Sequence, residues 1–366
     1  MTPASSALRI YAGPLARRQI ERNGLQPEAV RTIPGAAGGP KGLVLGPLDR
    51  FIFGEWLPRS KQPIALVGAS VGAWRLAAAC LDDPVAALQR LETDYIRAEY
   101  EIPPGRKTPT AAHVSERFGG NLRAFYGGRV AEVLDHPRYS LHVVTSRGRH
   151  LLRREHRIAT PLGYLGAFVS NAVHRRALGV WLERIVFSAK GARLPFDARS
   201  FPTRQVTLDE SNFFEALQAS CSIPFVLQAV HDIAGAPRGA YWDGGITDYH
   251  LHLPYEAGGA SDEEGLVLYP HFQRAVVPGW LDKGLRWRHR ATSALDRMVV
   301  VAPDPAWVAR TLPLGKLPDR SDFTRYGTNT AARVQAWSTA TRECERLADE
   351  LQEWLRAPNF AQVENL

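Results

Sequence analysis

The sequence predicts an α/β fold of three layers, α/β/α, with helices on both faces of a mostly parallel central sheet. Three observations carry this expectation. Short apolar runs recur along the chain, they are apolar throughout rather than alternating, and amphipathic stretches of helical length separate them. A strand covered on both faces has no solvent side and so loses the period-two pattern of a half-exposed strand. Strand–helix–strand order then implies parallel pairing through right-handed crossovers.

The expected strands are Leu8–Tyr11, Arg31–Ile33, Ile64–Val67, Leu141–Thr145, Arg184–Phe187, Leu266–Tyr269 and Met298–Val301. Helical patterns fall at Leu15–Arg22, Leu43–Phe53, Val71–Leu81, Pro84–Glu99 and Asn212–Ser220. Glu101–Gly128, rich in Pro, Gly and Arg, reads as a surface insertion, and Ala257–Gly265 as a loop. Thr328–Leu355 reads as one long helix, with Val334, Trp337, Thr341, Cys344, Ala348, Leu351 and Leu355 forming a stripe at heptad-like spacing, suited to packing on the body, with dimerisation as the alternative. The resulting division is a strand–helix extension over 1–29, a core over 30–256 with 101–128 inserted, and C-terminal strands and helix over 257–366.

With 366 residues, 45% of them apolar and 22% charged, the chain has ample material for a large core. Lys plus Arg exceed Asp plus Glu by 45 − 37 = 8, which favours anionic partners. The basic residues are scattered and no nucleic-acid recognition module is present, so nucleic acid is not an expected partner. Cys80, Cys221 and Cys344 lie far apart with no CxxC spacing, which argues against a disulfide framework and a thiolate zinc site. No metal or cofactor is called for. Met1–Arg18 lacks a basic stretch followed by an apolar one, and no apolar run is long enough to cross a bilayer. The expectation is a cytoplasmic protein that meets lipid only at its surface.

The sharpest local signal is Gly68-Ala69-Ser70-Val71-Gly72, directly after the apolar run Ile64–Val67 and directly before a helical pattern. A serine on so tight a strand-to-helix turn needs a strained backbone, and Gly68 and Gly72 keep the crossing chain clear. The turn lifts the hydroxyl above the sheet at a helix N-terminus, where developing negative charge is favoured. Ser70 is therefore a candidate nucleophile, with a purely structural turn as the alternative.

About thirty residues earlier, the strand ending at Ile33 runs into Gly35-Ala36-Ala37-Gly38-Gly39-Pro40-Lys41-Gly42. Consecutive glycines let backbone N–H groups converge at a helix start, which suits the oxyanion of an acyl intermediate. The segment is not a P-loop, because Gly42 stands where a Ser or Thr must follow the lysine. It is not a dinucleotide fingerprint either, since Ala37 and Pro40 occupy the later glycine positions. Farther on, Tyr241-Trp242-Asp243-Gly244-Gly245 places an aspartate at the end of a short strand, beside glycines that permit close approach. Tyr241 and Trp242 can either cover this carboxylate or pack into the core.

Gly38-Gly39-Pro40-Lys41-Gly42, the Gly-Ala-Ser-Val-Gly turn, Ala219-Ser220-Cys221-Ser222-Ile223-Pro224 and Asp243-Gly-Gly occur in an order that resembles the patatin-like phospholipases, over roughly Arg31–Pro254. The resemblance implies a patatin-like fold and a lipid acyl hydrolase of phospholipase A, lysophospholipase or carboxylesterase type. It implies a Ser70 nucleophile with Asp243 as general base, and an oxyanion hole over Gly38, Gly39, Pro40, Lys41 and Gly42. The chain departs from the family at Ala37, where many members have a third glycine, and at Pro34-Gly35-Ala36, where many have an aspartate.

Other readings stay open at this stage. A Ser–His–Asp triad could draw on His250, His252, His271 or His289. The same acyl-enzyme could serve an acyltransferase, and the fold could persist in a non-catalytic lipid-binding protein. Finally, Tyr269–Arg290 mixes Phe272, Trp280 and Trp287 with Lys283, Arg286, Arg288 and Arg290. It suits either peripheral contact with an anionic membrane or a solvated loop and helix.

Overall fold

The structure, a computed structural model, describes residues 6–106, 108–256 and 265–366. Its frame is one mixed, mostly parallel sheet flanked by helices. The strands are β1 (Leu8–Ala12), β2 (Val30–Gly35), β3 (Ile64–Ala69), β4 (Tyr139–Gly148), β5 (Leu182–Ser188), β6 (Thr203–Thr207), β7 (Val230–His231), β8 (Ala240–Asp243), β9 (Leu266–Pro270), β10 (Met298–Pro303) and β11 (Val363–Asn365). Their order is β11-β1-β10-β9-β2-β3-β4-β5-β6, with β8 on β4 and β7 on β8. Pairing is parallel from β10 through β9, β2 and β3 to β4, where every β3 residue is buried or nearly so. That burial accounts for the uniformly apolar runs.

The chain's two ends enter the same sheet. β9 and β10 lie between β2 and β1, and β11 pairs with β1, so the C-terminal third continues the body that contains β2–β5. Two strands are not apolar runs. β6 is Thr-Arg-Gln-Val-Thr, half exposed at one edge, and β11 is three residues long at the other.

Three elements differ from expectation. Within Glu101–Gly128, Ala111–Tyr126 is a helix that packs on the body rather than a surface excursion. Phe118 and Phe125 meet the ring of Trp74 edge-on, and the Tyr126 hydroxyl donates to the Trp74 carbonyl at 2.9 Å. Its aromatic residues outweigh the Pro and Gly that precede it. The pattern at Leu43–Phe53 becomes a 3₁₀ turn (Gly39–Leu45), a short α-helix (Gly46–Phe51) and a π turn (Ile52–Trp56). Pro40 and Pro47, which lack N–H groups, interrupt regular helical bonding there. The C-terminal stretch is two helices, Thr330–Glu343 and Glu345–Arg356, which meet at Cys344 (φ −74°, ψ −4°). The Thr341 hydroxyl bonds back to the Trp337 carbonyl at 2.9 Å, a bond that bends helices. Trp337, Cys344, Leu347 and Leu351 are buried against the body. The loop expected at Ala257–Gly265 lies, except for Gly265, outside the described residues.

Candidate active site

Strand β4 brings together two residues 173 positions apart. Its first half pairs with β3 as far as Ala69↔Val144, and its second half pairs with β8 from Thr145↔Asp243. β3 and β8 therefore lie along the same edge of β4, end to end, on consecutive residues. Ser70 follows Ala69, so its hydroxyl emerges where β8 delivers Asp243. The Ser70 Oγ donates to Asp243 Oδ2 at 2.7 Å, and both residues are buried.

Ser70 has φ 56° and ψ −133°, a conformation that costs a side-chain-bearing residue on the order of 1–3 kcal/mol. The surroundings hold it. A β-carbon on Gly72 would stand 1.9 Å from the Gly35 carbonyl oxygen and one on Gly68 2.3 Å from Ala73 Cα, so glycine at 72 lets the turn seat against β2 and glycine at 68 lets the following helix fold back close to β3. The Ser70 N–H donates to Ser220 Oγ at 2.9 Å, and Ser220 donates onward to the Val144 carbonyl at 2.7 Å. Two residues on, the Ser222 carbonyl accepts from the Asp243 N–H at 2.9 Å. The Ala219–Pro224 segment thus ties both members of the pair to β4. Sequence reasoning singled out this segment as a motif, yet nothing local revealed the bond from Ser220 to the Ser70 amide.

Burial pushes the Asp243 carboxyl up to about 6, against the opposing pull of bonds from Ser70 and the Gly245 N–H and of positive charge on Arg320 and Lys283. The turn after Asp243 is anchored by a buried bidentate pair, Arg184 to Asp248, at 2.7 and 2.5 Å. Tyr241 and Trp242 are fully buried, with Trp242 edge-on to Tyr164, so Trp242 belongs to the core.

A cleft opens over the pair, lined by Ala37, Gly38, Gly39, Ile223, Pro224, Ile246, Tyr249 and Trp280 among others. Of the glycine loop, Gly38 and Gly39 reach this cleft beside Ser70. Gly39, at φ +57°, begins the 3₁₀ turn, whose leading N–H groups have no partner within the turn. Pro40 carries no N–H and cannot donate. Lys41 and Gly42 run on into the turn, where the Lys41 ammonium lies over the Phe272 ring and Gly42 packs on Val71 and Arg75. The Ala37 N–H is engaged by the Tyr249 carbonyl at 2.9 Å.

Lys283 and Arg320 also line the cleft, and sequence reasoning gave neither a role at this site. Burial, reinforced by Lys41 and Arg320, brings Lys283 down to about 8. The four histidines point elsewhere. His250 Nδ1 lies 3.0 Å from the Ala275 carbonyl, His271 Nδ1 2.5 Å from the Gln273 carbonyl, His252 Nδ1 2.9 Å from the Val276 carbonyl and His289 Nε2 2.9 Å from the Asp282 carbonyl. Phe272 is buried, Trp280 faces the cleft, and Trp287 stands exposed. Among the described residues no cluster of His, Cys, Asp or Glu is arranged to hold a metal ion.

A serine on a strained strand-to-helix turn, bonded to a buried carboxylate beside a glycine turn, within a mostly parallel α/β sheet, defines a class of α/β proteins built around a serine–carboxylate pair. The family profile of the patatin-like phospholipases matches residues 38–250, and the chain belongs to that family of lipid acyl hydrolases. No curated protein matches the chain.

Proposed function

We propose that this chain hydrolyses acyl esters of lipids through Ser70 and Asp243, by way of an acyl-enzyme and without histidine. The observation that carries the reading is the 2.7 Å bond between Ser70 Oγ and a buried Asp243 carboxyl raised to about 6. A carboxylate so raised is a stronger base than an exposed one, yet remains ionised at neutral pH.

Asp243 takes the Ser70 proton as Oγ attacks the ester carbonyl. The carbonyl oxygen becomes an oxyanion that the Gly38 and Gly39 N–H groups hold, aided by the start of the 3₁₀ turn. The tetrahedral intermediate collapses, the C–O bond to the alcohol breaks, and Asp243 returns the proton to the leaving oxygen. Water then attacks the acyl-serine, Asp243 takes its proton, and the carboxylic acid leaves as Ser70 is reprotonated. Pro40 shapes the turn rather than donating. Lys283 and Arg320, with Lys41 behind them, favour substrates that carry negative charge near the scissile ester, as a phospholipid does.

The test is labelling with a fluorophosphonate probe alongside turnover of p-nitrophenyl esters. The unsubstituted chain should label, Ser70→Ala should not, and both Ser70→Ala and Asp243→Asn should lose turnover by at least about 10⁴-fold. His252→Gln and His289→Gln should keep it. Labelling that persists in Ser70→Ala, or a single histidine substitution that abolishes turnover, would overturn the mechanism.

A further inference from the structure

The helix Ala159–Val173 contains no Asp, Glu, Lys or Arg. Thr160, Gly163, Tyr164, Ala167 and Asn171 face inward and are buried. Ile158, Leu162, Leu165, Val169 and Val173 recur at spacings of four, three, four and four, which at about 100° per residue is one stripe. That stripe faces solvent: Val173 is 81% exposed, Ile158 64% and Leu165 59%. A surface helix of a water-surrounded protein normally presents charge there. This one presents an uncharged, apolar stripe to solvent over roughly 22 Å of its length.

The stripe has neighbours of matching character. Phe225, also exposed and at φ +68°, rests edge-on against Tyr164 at 6.0 Å, next to the cleft residues Ile223 and Pro224. At the helix's far end, Arg288 donates to the Ala172 carbonyl at 3.1 Å and holds the turn that exposes Trp287. The buried Asp282 fastens both parts, accepting from Asn171, Arg175 and Arg288 at 2.7–2.8 Å. Trp280, two residues before Asp282, lines the cleft. The helix that carries the stripe is thus tied through its inward face, at Tyr164 and Asn171, to the segments that edge the mouth of the cleft.

Charge identifies the occupant. Residues 149–180 hold six arginines, three histidines and a single glutamate. Exposed Arg153 and Arg157 stand at one end of the stripe and exposed Arg176 at the other, with exposed Arg286 and Arg290 beside Trp287. An apolar helix face bracketed by arginines and edged by tryptophan and phenylalanine fits acyl chains below and anionic headgroups around it. A second copy of this chain fits poorly. Two-fold antiparallel pairing of the stripe would set the Arg153–Arg157 end against the partner's end that carries the exposed Arg176, like charge on like.

We propose that the Ala159–Val173 helix is a membrane-docking element that lies in the surface of an anionic bilayer and opens the Ser70 cleft onto it. Ile158, Leu162, Leu165, Val169 and Val173 enter the headgroup–acyl boundary, and Arg153, Arg157 and Arg176 engage headgroups. The delivery of substrate from that surface rests on the hydrolase reading above; the docking itself does not.

The test is co-sedimentation of the full chain, carrying Ser70→Ala to prevent turnover, with vesicles of phosphatidylcholine alone or mixed with phosphatidylglycerol. It should pellet with the mixed vesicles and much less with phosphatidylcholine. A Leu165→Glu/Val169→Glu chain with an unchanged thermal melt should bind about tenfold more weakly or worse, and high salt should weaken binding of the parent. Equal binding by the double variant overturns the proposal, and equal binding to both vesicle types overturns the anionic assignment. A parent that ignores vesicles but sediments as a dimer, with the double variant a monomer, assigns the stripe to a second copy instead. Turnover of a short water-soluble ester by the unsubstituted chain is read separately. Its absence would count against the hydrolase reading and leave the docking result standing.

Discussion

At Asp243 two influences oppose each other: burial raises the carboxyl, while Ser70, the Gly245 N–H and nearby cations hold it down, and burial wins at about 6. On the proposed mechanism Asp243 serves as base only when ionised, so turnover of a neutral ester should rise tenfold per pH unit below about 6 and level off above it. Lys283, brought down to about 8, loses its charge above that pH. An anionic substrate should therefore show a second limb, with KM rising above pH 8, that a neutral ester of the same acyl chain lacks. Rate profiles for the two substrates check this, and identical alkaline limbs would remove Lys283 from substrate binding. Ser70 stands out in the sequence because the demands on it are local: small neighbours, a strand before, a helix after; Asp243, which alone reads as a turn residue, is singled out only by the order of the four motifs that resemble the family. Lys283 and Arg320 do not stand out, because their arrival depends on chain beyond the matched residues 38–250 folding back over the cleft.

Among the elements, the Ala219–Pro224 segment carries the clearest consequence. Ser220 accepts from the Ser70 amide and donates to Val144, so Ser220→Ala leaves one buried donor and one buried acceptor unsatisfied. The loss should cost about 1–3 kcal/mol of stability. If the bond positions the turn, kcat should fall while KM changes little, and Ser220→Thr should recover part of kcat. A variant with lower stability and unaltered kcat would make Ser220 merely structural. The same scale separates what patterning reveals from what it hides. β2, β3, β4, β5, β9 and β10 were legible as apolar runs because both faces are covered. β6 and β11 were hidden because edge strands need not be apolar, and β11 has only three residues. The Ala159–Val173 helix escaped notice because it lacks the polar face by which amphipathic helices are recognised.

Across the whole molecule, burial holds three histidines down, helped at His250 and His271 by nearby cations: His142 is brought down to about 4, His271 to about 3, and His250 well below its usual value. The unfolded chain takes up protons at each as pH falls below about 6.5, whereas the folded chain does not until lower pH. Stability is therefore lost as pH falls through that window. Asp243 and Glu92 act oppositely, since their raised values let the folded chain gain protons before the unfolded one, but the lowered histidines, His136 and His252 among them, outnumber these two. Thermal melts should fall in temperature from pH 7 to about 4.5, and a constant or rising melt would contradict this balance. The shared edge of β4 has a consequence in time. A ribosome releases Ser70 long before Asp243, and the two meet only after β8 has docked beyond the end of β3. On the proposed chemistry, a half-made chain attached to its ribosome carries a serine with no base. It is inert toward nearby lipids through most of its own synthesis, and it acquires activity in a single late step, when one short strand closes onto another.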